Sequence, residues 1–144
     1  MTIESSSPRS FTRFFPAIAR VLMGLIFFVF GLNGFLNFIP QPKEAIPEGA
    51  MALLGAFIKS GYLLHLVAGT EAVCGALLLL NRFVPLALAM IAPVIVNIML
   101  FHIYLAPSGM GVAIFVLVLE LYLAWSYRNA FIPMLEARNS TGAK

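Results

Sequence analysis

The sequence predicts an all-α fold: a four-helix transmembrane bundle with a short interfacial or re-entrant helix between helices 1 and 2. Three observations carry that prediction. Of the 144 residues 61% are apolar and only 10% are charged, with a mean hydropathy of +0.97. A soluble domain is about 45–50% apolar and about 25% charged, because its surface must meet water. The charged side chains also fall in short clusters between long uncharged stretches, the arrangement expected where lipid solvates most of the lateral surface. Finally, four stretches, near 15–39, 62–80, 84–106 and 109–128, approach or exceed the ~20 apolar residues that cross ~30 Å of hydrocarbon at ~1.5 Å per residue.

Each element has a local justification. Arg9, Arg13 and Arg20 precede or enter the first apolar run, an outline shared with secretory signals. The run is longer than a usual signal core and lacks an A-x-A-like exit, so a retained helix is expected. Pro40, Pro42, Lys43, Glu44 and Pro47 end it. Residues 48–61 carry Met51, Leu53, Leu54, Phe57 and Ile58 before Lys59, Ser60 and Gly61, a segment too short to cross and therefore interfacial or re-entrant. The Asn81-Arg82 and Pro107-Ser108-Gly109 turns are so short that the helices they join must be antiparallel neighbours. The whole chain, 1–144, reads as a single membrane domain with short tails.

Cation placement sets the expected orientation. Arg9, Arg13, Arg20, Arg82, Arg128, Arg138 and Lys144 fall on one side and only Lys43 and Lys59 on the other, which puts both termini in the cytoplasm. Tyr62 and Tyr104 at the outer boundary, with Trp125 and Tyr127 at the inner one, fit aromatic belts. Arg20 is expected to act as an anchor that extends its guanidinium to the cytoplasmic surface. No basic face remains to follow a phosphate backbone, which excludes nucleic acid as a partner. The lone cysteine, Cys74, lies in an apolar stretch and reads as a small buried residue, so the chain by itself has no disulfide or CxxC chemistry.

The candidate site rests on polar residues placed where hydrocarbon is expected. Glu71 and Glu120 lie near the middles of the second and fourth crossings, where an ionised acid costs about 2.5–3.5 kcal/mol. Such residues face a bundle interior or a wet cavity. Asn33 lies in the outer third of the first crossing and Asn97 in the third, while Asn37, His65 and His102 lie toward the outer end. From the outer boundary His102 is roughly 5 Å deep and Glu71 roughly 14 Å. Small residues permit close helix approach beside them: the Ala68, Ala72, Ala76 row, Gly69 and Gly75 around Glu71, and Gly31 and Gly34 around Asn33. Pro93, one turn before Asn97, can bend the third crossing.

Two readings of the acids stand side by side. They carry protons or accept a ligand, or they stay neutral and hydrogen-bond Asn33 or Asn97 as structural clasps. His102 reads equally as a ligand contact or a solvated cap, and His65 as structural. Neither histidine stands three residues after a glutamate, so the Glu-x-x-His pattern of di-iron bundles is missing and no metal is expected. No phosphate-binding loop or hydroxyl nucleophile motif is present in the sequence.

The run from Arg20 through Phe27, followed by Gly31-Leu32-Asn33-Gly34-Phe35, resembles the opening of DoxX-like membrane proteins. The second crossing from Glu71 through Gly75 to Leu80 is similar, as is Asn81 through Ala87 with Pro93 and Asn97-Ile98-Met99-Leu100-Phe101-His102. The resemblance covers residues 15–128. It departs at Gly34, where many members carry a lysine; pairing with the second-helix acid would then fall to Asn33 or Asn37. The resemblance implies a four-helix protein of the bacterial inner membrane, some relatives being subunits of quinol- or thiosulfate-linked oxidoreductases. On that basis the expected function is an accessory subunit of a membrane redox system, with an outward-facing pocket built from Asn33, Glu71, Asn97, His102 and Glu120. Its expected ligand is a quinone, held without a covalent bond, and its partners are the lipid bilayer and a cofactor-bearing redox subunit. Assembly with a second copy stays open. The rival expectations are a small-solute binding protein or permease, and a non-enzymatic scaffold or assembly factor that holds other helices on its small-residue faces.

Overall fold

The computed structural model describes residues 14–40 and 45–135, all helix, turn or loop. The helices are α1 (Phe14–Leu36), α2 (Glu48–Lys59), α3 (Leu63–Leu79), α4 (Val84–Tyr104), α5 (Met110–Ser126) and a single turn, α6 (Arg128–Phe131). Arg9, Arg13, Lys43, Arg138 and Lys144, which enter the expected orientation, lie outside the described residues, as do the expected tails and Pro42 and Glu44 of the first connection.

Three segments are long and apolar enough to cross a membrane: Phe14–Leu36, Val84–Tyr104 and Pro107–Ser126. The 17 residues of α3 extend about 25 Å. It meets the same measure only together with α2, from which it bends by 91°. One hydroxyl holds that corner. Ser60 Oγ donates to the Phe57 carbonyl at 2.6 Å and accepts the Leu63 N–H at 3.0 Å, tying the end of α2 to the start of α3. Gly61 follows at φ 76°, a backbone state that side-chain-bearing residues avoid.

The other helix ends are equally local in origin. α1 stops at Leu36 because Asn37 turns left-handed (φ 49°), while Asn33 Oδ1 accepts the Ile39 N–H at 2.7 Å. The expected crossing to residue 39 is therefore three residues shorter as helix. α3 ends in a Schellman pattern, with Asn81 left-handed, its N–H on the Leu78 carbonyl and the Arg82 N–H on the Leu77 carbonyl. Arg20 completes this end: its guanidinium donates to the Leu78 carbonyl and, at 3.5 Å, to that of Leu79. Sequence alone makes Arg20 a surface anchor; in the fold it caps another helix, where a cation meets the negative end of the α3 dipole. Beyond α5, Arg128 stacks 4.9 Å above the Trp125 ring.

The four long helices form a closed ring in which α1 packs on α3, α3 on α4, α4 on α5 and α5 on α1. The α1–α3 pair is by far the most extensive contact. Met23 and Phe27 of α1, Cys74 and Leu78 of α3, Leu88, Ile91 and Ile95 of α4, and Leu123 of α5 are fully buried. The outward faces are as apolar as the interior, with Leu22, Leu25, Val96, Val118 and Leu121 all exposed, so lipid contacts them. Burial of apolar surface therefore cannot drive association here, and close packing must.

Glycines supply that closeness. A methyl group at Gly31 would run into the Ala72 amide and the Ala68 carbonyl, and one at Gly75 into the backbone of Phe28 and Gly24. α1 and α3 thus touch backbone to backbone at two levels. Gly31→Val and Gly75→Val are expected to lower stability by about 1–3 kcal/mol each through overpacking. Gly55→Ala, inside α2 with nothing within 4 Å of the added carbon, is expected to raise stability by about 0.4–1 kcal/mol. Thermal unfolding in detergent checks the contrast.

Candidate functional site

Toward the end of the ring where α2 lies, the helices enclose a cavity of about 390 Å³. Phe27 and Phe30 of α1, Leu64 and Val67 of α3, Ile98 of α4 and Val116 of α5 supply apolar wall. Leu54 and Phe57 of α2 roof it. Three polar side chains enter this lining: Asn33 from α1, Glu71 from α3 and His102 from α4. No lysine or arginine is among the lining residues.

Two of the three have one end already engaged, which fixes what the other can do. Asn33 commits its carbonyl oxygen to the Ile39 N–H, which leaves the side-chain NH₂ as a donor. His102 Nδ1 lies 2.8 Å from the Ala106 carbonyl. A carbonyl only accepts, so Nδ1 carries the hydrogen and Nε2 of the neutral ring is an acceptor. The ring lies against the α4–α5 turn, where any side-chain carbon at Gly109 would collide with it. The Phe101 ring meets it edge-on at 5.3 Å. Glu71 is half-buried on α3; its carboxyl group offers a proton when neutral and accepts hydrogen bonds when ionised. The cavity therefore presents a donor, an acceptor and a carboxyl group on apolar walls.

The other two sequence-derived site residues stand apart. Asn97 is exposed on α4 and lines a second, smaller cavity of about 140 Å³ between α2 and α4. Glu120 lines neither cavity. It is 7% exposed, one turn along α5 from Val116, and its Oε2 has no hydrogen-bond partner among the described residues. Val112 and Val116 of α5 line the cavity and Glu120 follows one turn further along, which places it inside the ring below the cavity. His65 lies outside the cavity, exposed, with its ring 5.5 Å from that of Phe35. Among the described residues no three of His, Cys, Asp and Glu gather into a set that could hold a metal ion.

Two parts of the site are not legible in the chain. The α2 roof depends on the 91° corner, and Gly109 orients His102 although its sequence signature is only that of a turn. A histidine followed seven residues later by a glycine in a tight turn is the signal available, and it is weak.

The family model described as DoxX matches residues 15–117. No curated protein and no solved structure matches the chain.

An unpartnered polar atom in the interior costs about 1–3 kcal/mol. Glu120→Met, close in volume and free of that cost, is expected to raise the midpoint of thermal unfolding in detergent. A lowered midpoint would make Glu120 a structural clasp.

Proposed function

The chain belongs to the DoxX family of membrane proteins, and from that premise we propose that it is the ligand-holding accessory subunit of a membrane redox system, its ligand a small ring-bearing molecule of the quinone class. The carrying observation is the cavity itself. About 390 Å³ falls in the range of roughly 300–1,000 Å³ typical of small-molecule sites, which are likewise mostly apolar with a few placed polar groups. A quinone ring matches the phenylalanine and aliphatic walls, and its carbonyl oxygen takes a hydrogen bond from the Asn33 amide. Its reduced form bears hydroxyls, one of which donates to His102 Nε2.

Glu71 has the central chemical role in this reading. Two-electron reduction of a quinone also consumes two protons, and the reverse reaction releases them. An acid inside the cavity exchanges such protons without exposing the ring to bulk water. The electrons come from elsewhere: a cofactor-bearing partner subunit supplies or removes them. The proposal extends to placement, with the chain in a bacterial inner membrane, both termini cytoplasmic and the cavity toward the outer face.

Native mass spectrometry of the protein in nanodiscs tests the reading. The wild type is expected to retain a quinone-sized adduct, and Glu71→Gln to lose it in large part. Gly109→Ala, which touches neither cavity but displaces the His102 ring, is expected to weaken retention about as much as His102→Ala. Leu121→Ala, on the lipid-facing surface, leaves retention unchanged. An unliganded wild type with the same spectrum as Glu71→Gln would turn the reading toward a scaffold.

A further inference from the structure

We propose that the gap between α2 and α4 is a lateral doorway through which the ligand reaches the main cavity from the bilayer, with Asn97 as the polar waypoint; the proposal rests on the main cavity being the binding site. The smaller cavity is walled by α2 and α4 alone. It shares Leu54, Phe57, Ile98 and His102 with the main one. The two are thus separated by little more than those four side chains. α2 packs chiefly on α3 and barely on α4, so the α2–α4 flank is a loosely closed side of the site.

Asn97 supplies the second observation. It is exposed on a helix long and apolar enough to cross the membrane, on the same stripe as the exposed Pro93, Leu100 and Tyr104. An amide set against hydrocarbon is costly, and polar residues at such depth mark cavities and pathways. Here it stands where the small cavity meets the lipid-facing surface. A ring carrying carbonyl groups loses hydrogen-bond partners on leaving the headgroup region, and the Asn97 amide offers one before Asn33 and His102 do. The remaining wall is apolar and aromatic, which suits a ring with a hydrocarbon tail and not a water-borne polar solute. At about 140 Å³ the passage has roughly a third of the volume of the main cavity. Phe57, part of both walls, is the side chain that must swing aside.

Rates separate a doorway from a binding surface. The probe is a short-tailed benzoquinone, followed by surface plasmon resonance on the protein held in nanodiscs, with empty nanodiscs as the reference. Asn97→Trp, which fills the small cavity, is expected to slow association and dissociation alike by about tenfold. The equilibrium constant then stays within about twofold of wild type, because a barrier changes both directions equally. Phe57→Ala, which removes the partition, is expected to speed both rates. The doorway is overturned if Asn97→Trp weakens affinity at an unchanged association rate, or if neither variant alters either rate while wild-type affinity persists. A wild type that binds no benzoquinone, or a Glu71→Gln variant that binds it as well as wild type, removes the binding site and the doorway with it.

Discussion

The backbone contact between α1 and α3 is the constraint on which the rest of the structure depends. In hydrocarbon, burying a leucine gains little that lipid does not already provide, so two helices stay together only if their atoms come very close. Gly31 against Ala68 and Ala72, and Gly75 against Phe28 and Gly24, bring two main chains into contact with no side chain between them. That pair forms one wall of the ring, and α4 and α5 complete it with larger side chains. At the Arg20 end, where Met23, Leu78, Leu88 and Leu123 are fully buried, the interior is filled. At the α2 end it is not. The cavity there, about 390 Å³ and partly open at its mouth, has the size that small-molecule sites have. An opening of this size fits a function better than it fits a packing defect.

The polar groups in the opening are held by the same features that shape the chain. Asn33 ends α1 with its oxygen and faces the cavity with what remains; His102 is fixed through Nδ1 by the turn that reverses α4 into α5. Each side chain does structural work with one end, so its other end has a defined hydrogen-bonding character. Glu71 gains its place differently, from the register set by the α1–α3 contact, since Ala68 before it and Gly75 after it meet α1 directly. Shifting that register would turn Glu71 away from the cavity. Fold and site are therefore one arrangement, and α2, bent 91° from α3, closes it.

Much of the fold is legible in the sequence because punctuation is local. Asn81-Arg82, Pro107-Ser108-Gly109 and Ser60-Gly61 end helices through their own backbone preferences, and the helix ends lie within a few residues of the expected breaks. What faces what is not local. Asn97 and His102 are five residues apart, about 140° around a helix, and only His102 reaches the main cavity, while Asn97 lines the smaller one beside it. Glu120 lies on α5, diagonal to α3 in the ring, and its depth relative to Glu71 depends on packing that no pattern within α5 encodes. Arg20 finds its partners among α3 carbonyls some 58 residues away, a relation without any sequence signature. The sequence names the polar residues; only the ring sorts them into those in the cavity, beside it and beneath it.

The central claim is that Glu71, held in register by the α1–α3 contact, is the acid that meets the ligand. Infrared difference spectroscopy of protein with isotope-labelled glutamate, in nanodiscs before and after a short-tailed benzoquinone is added, tests it most directly. A change in the carboxyl band that disappears in Glu71→Gln and persists in Glu120→Met is the predicted result. A band that does not change, or a change that survives the loss of Glu71, would contradict it.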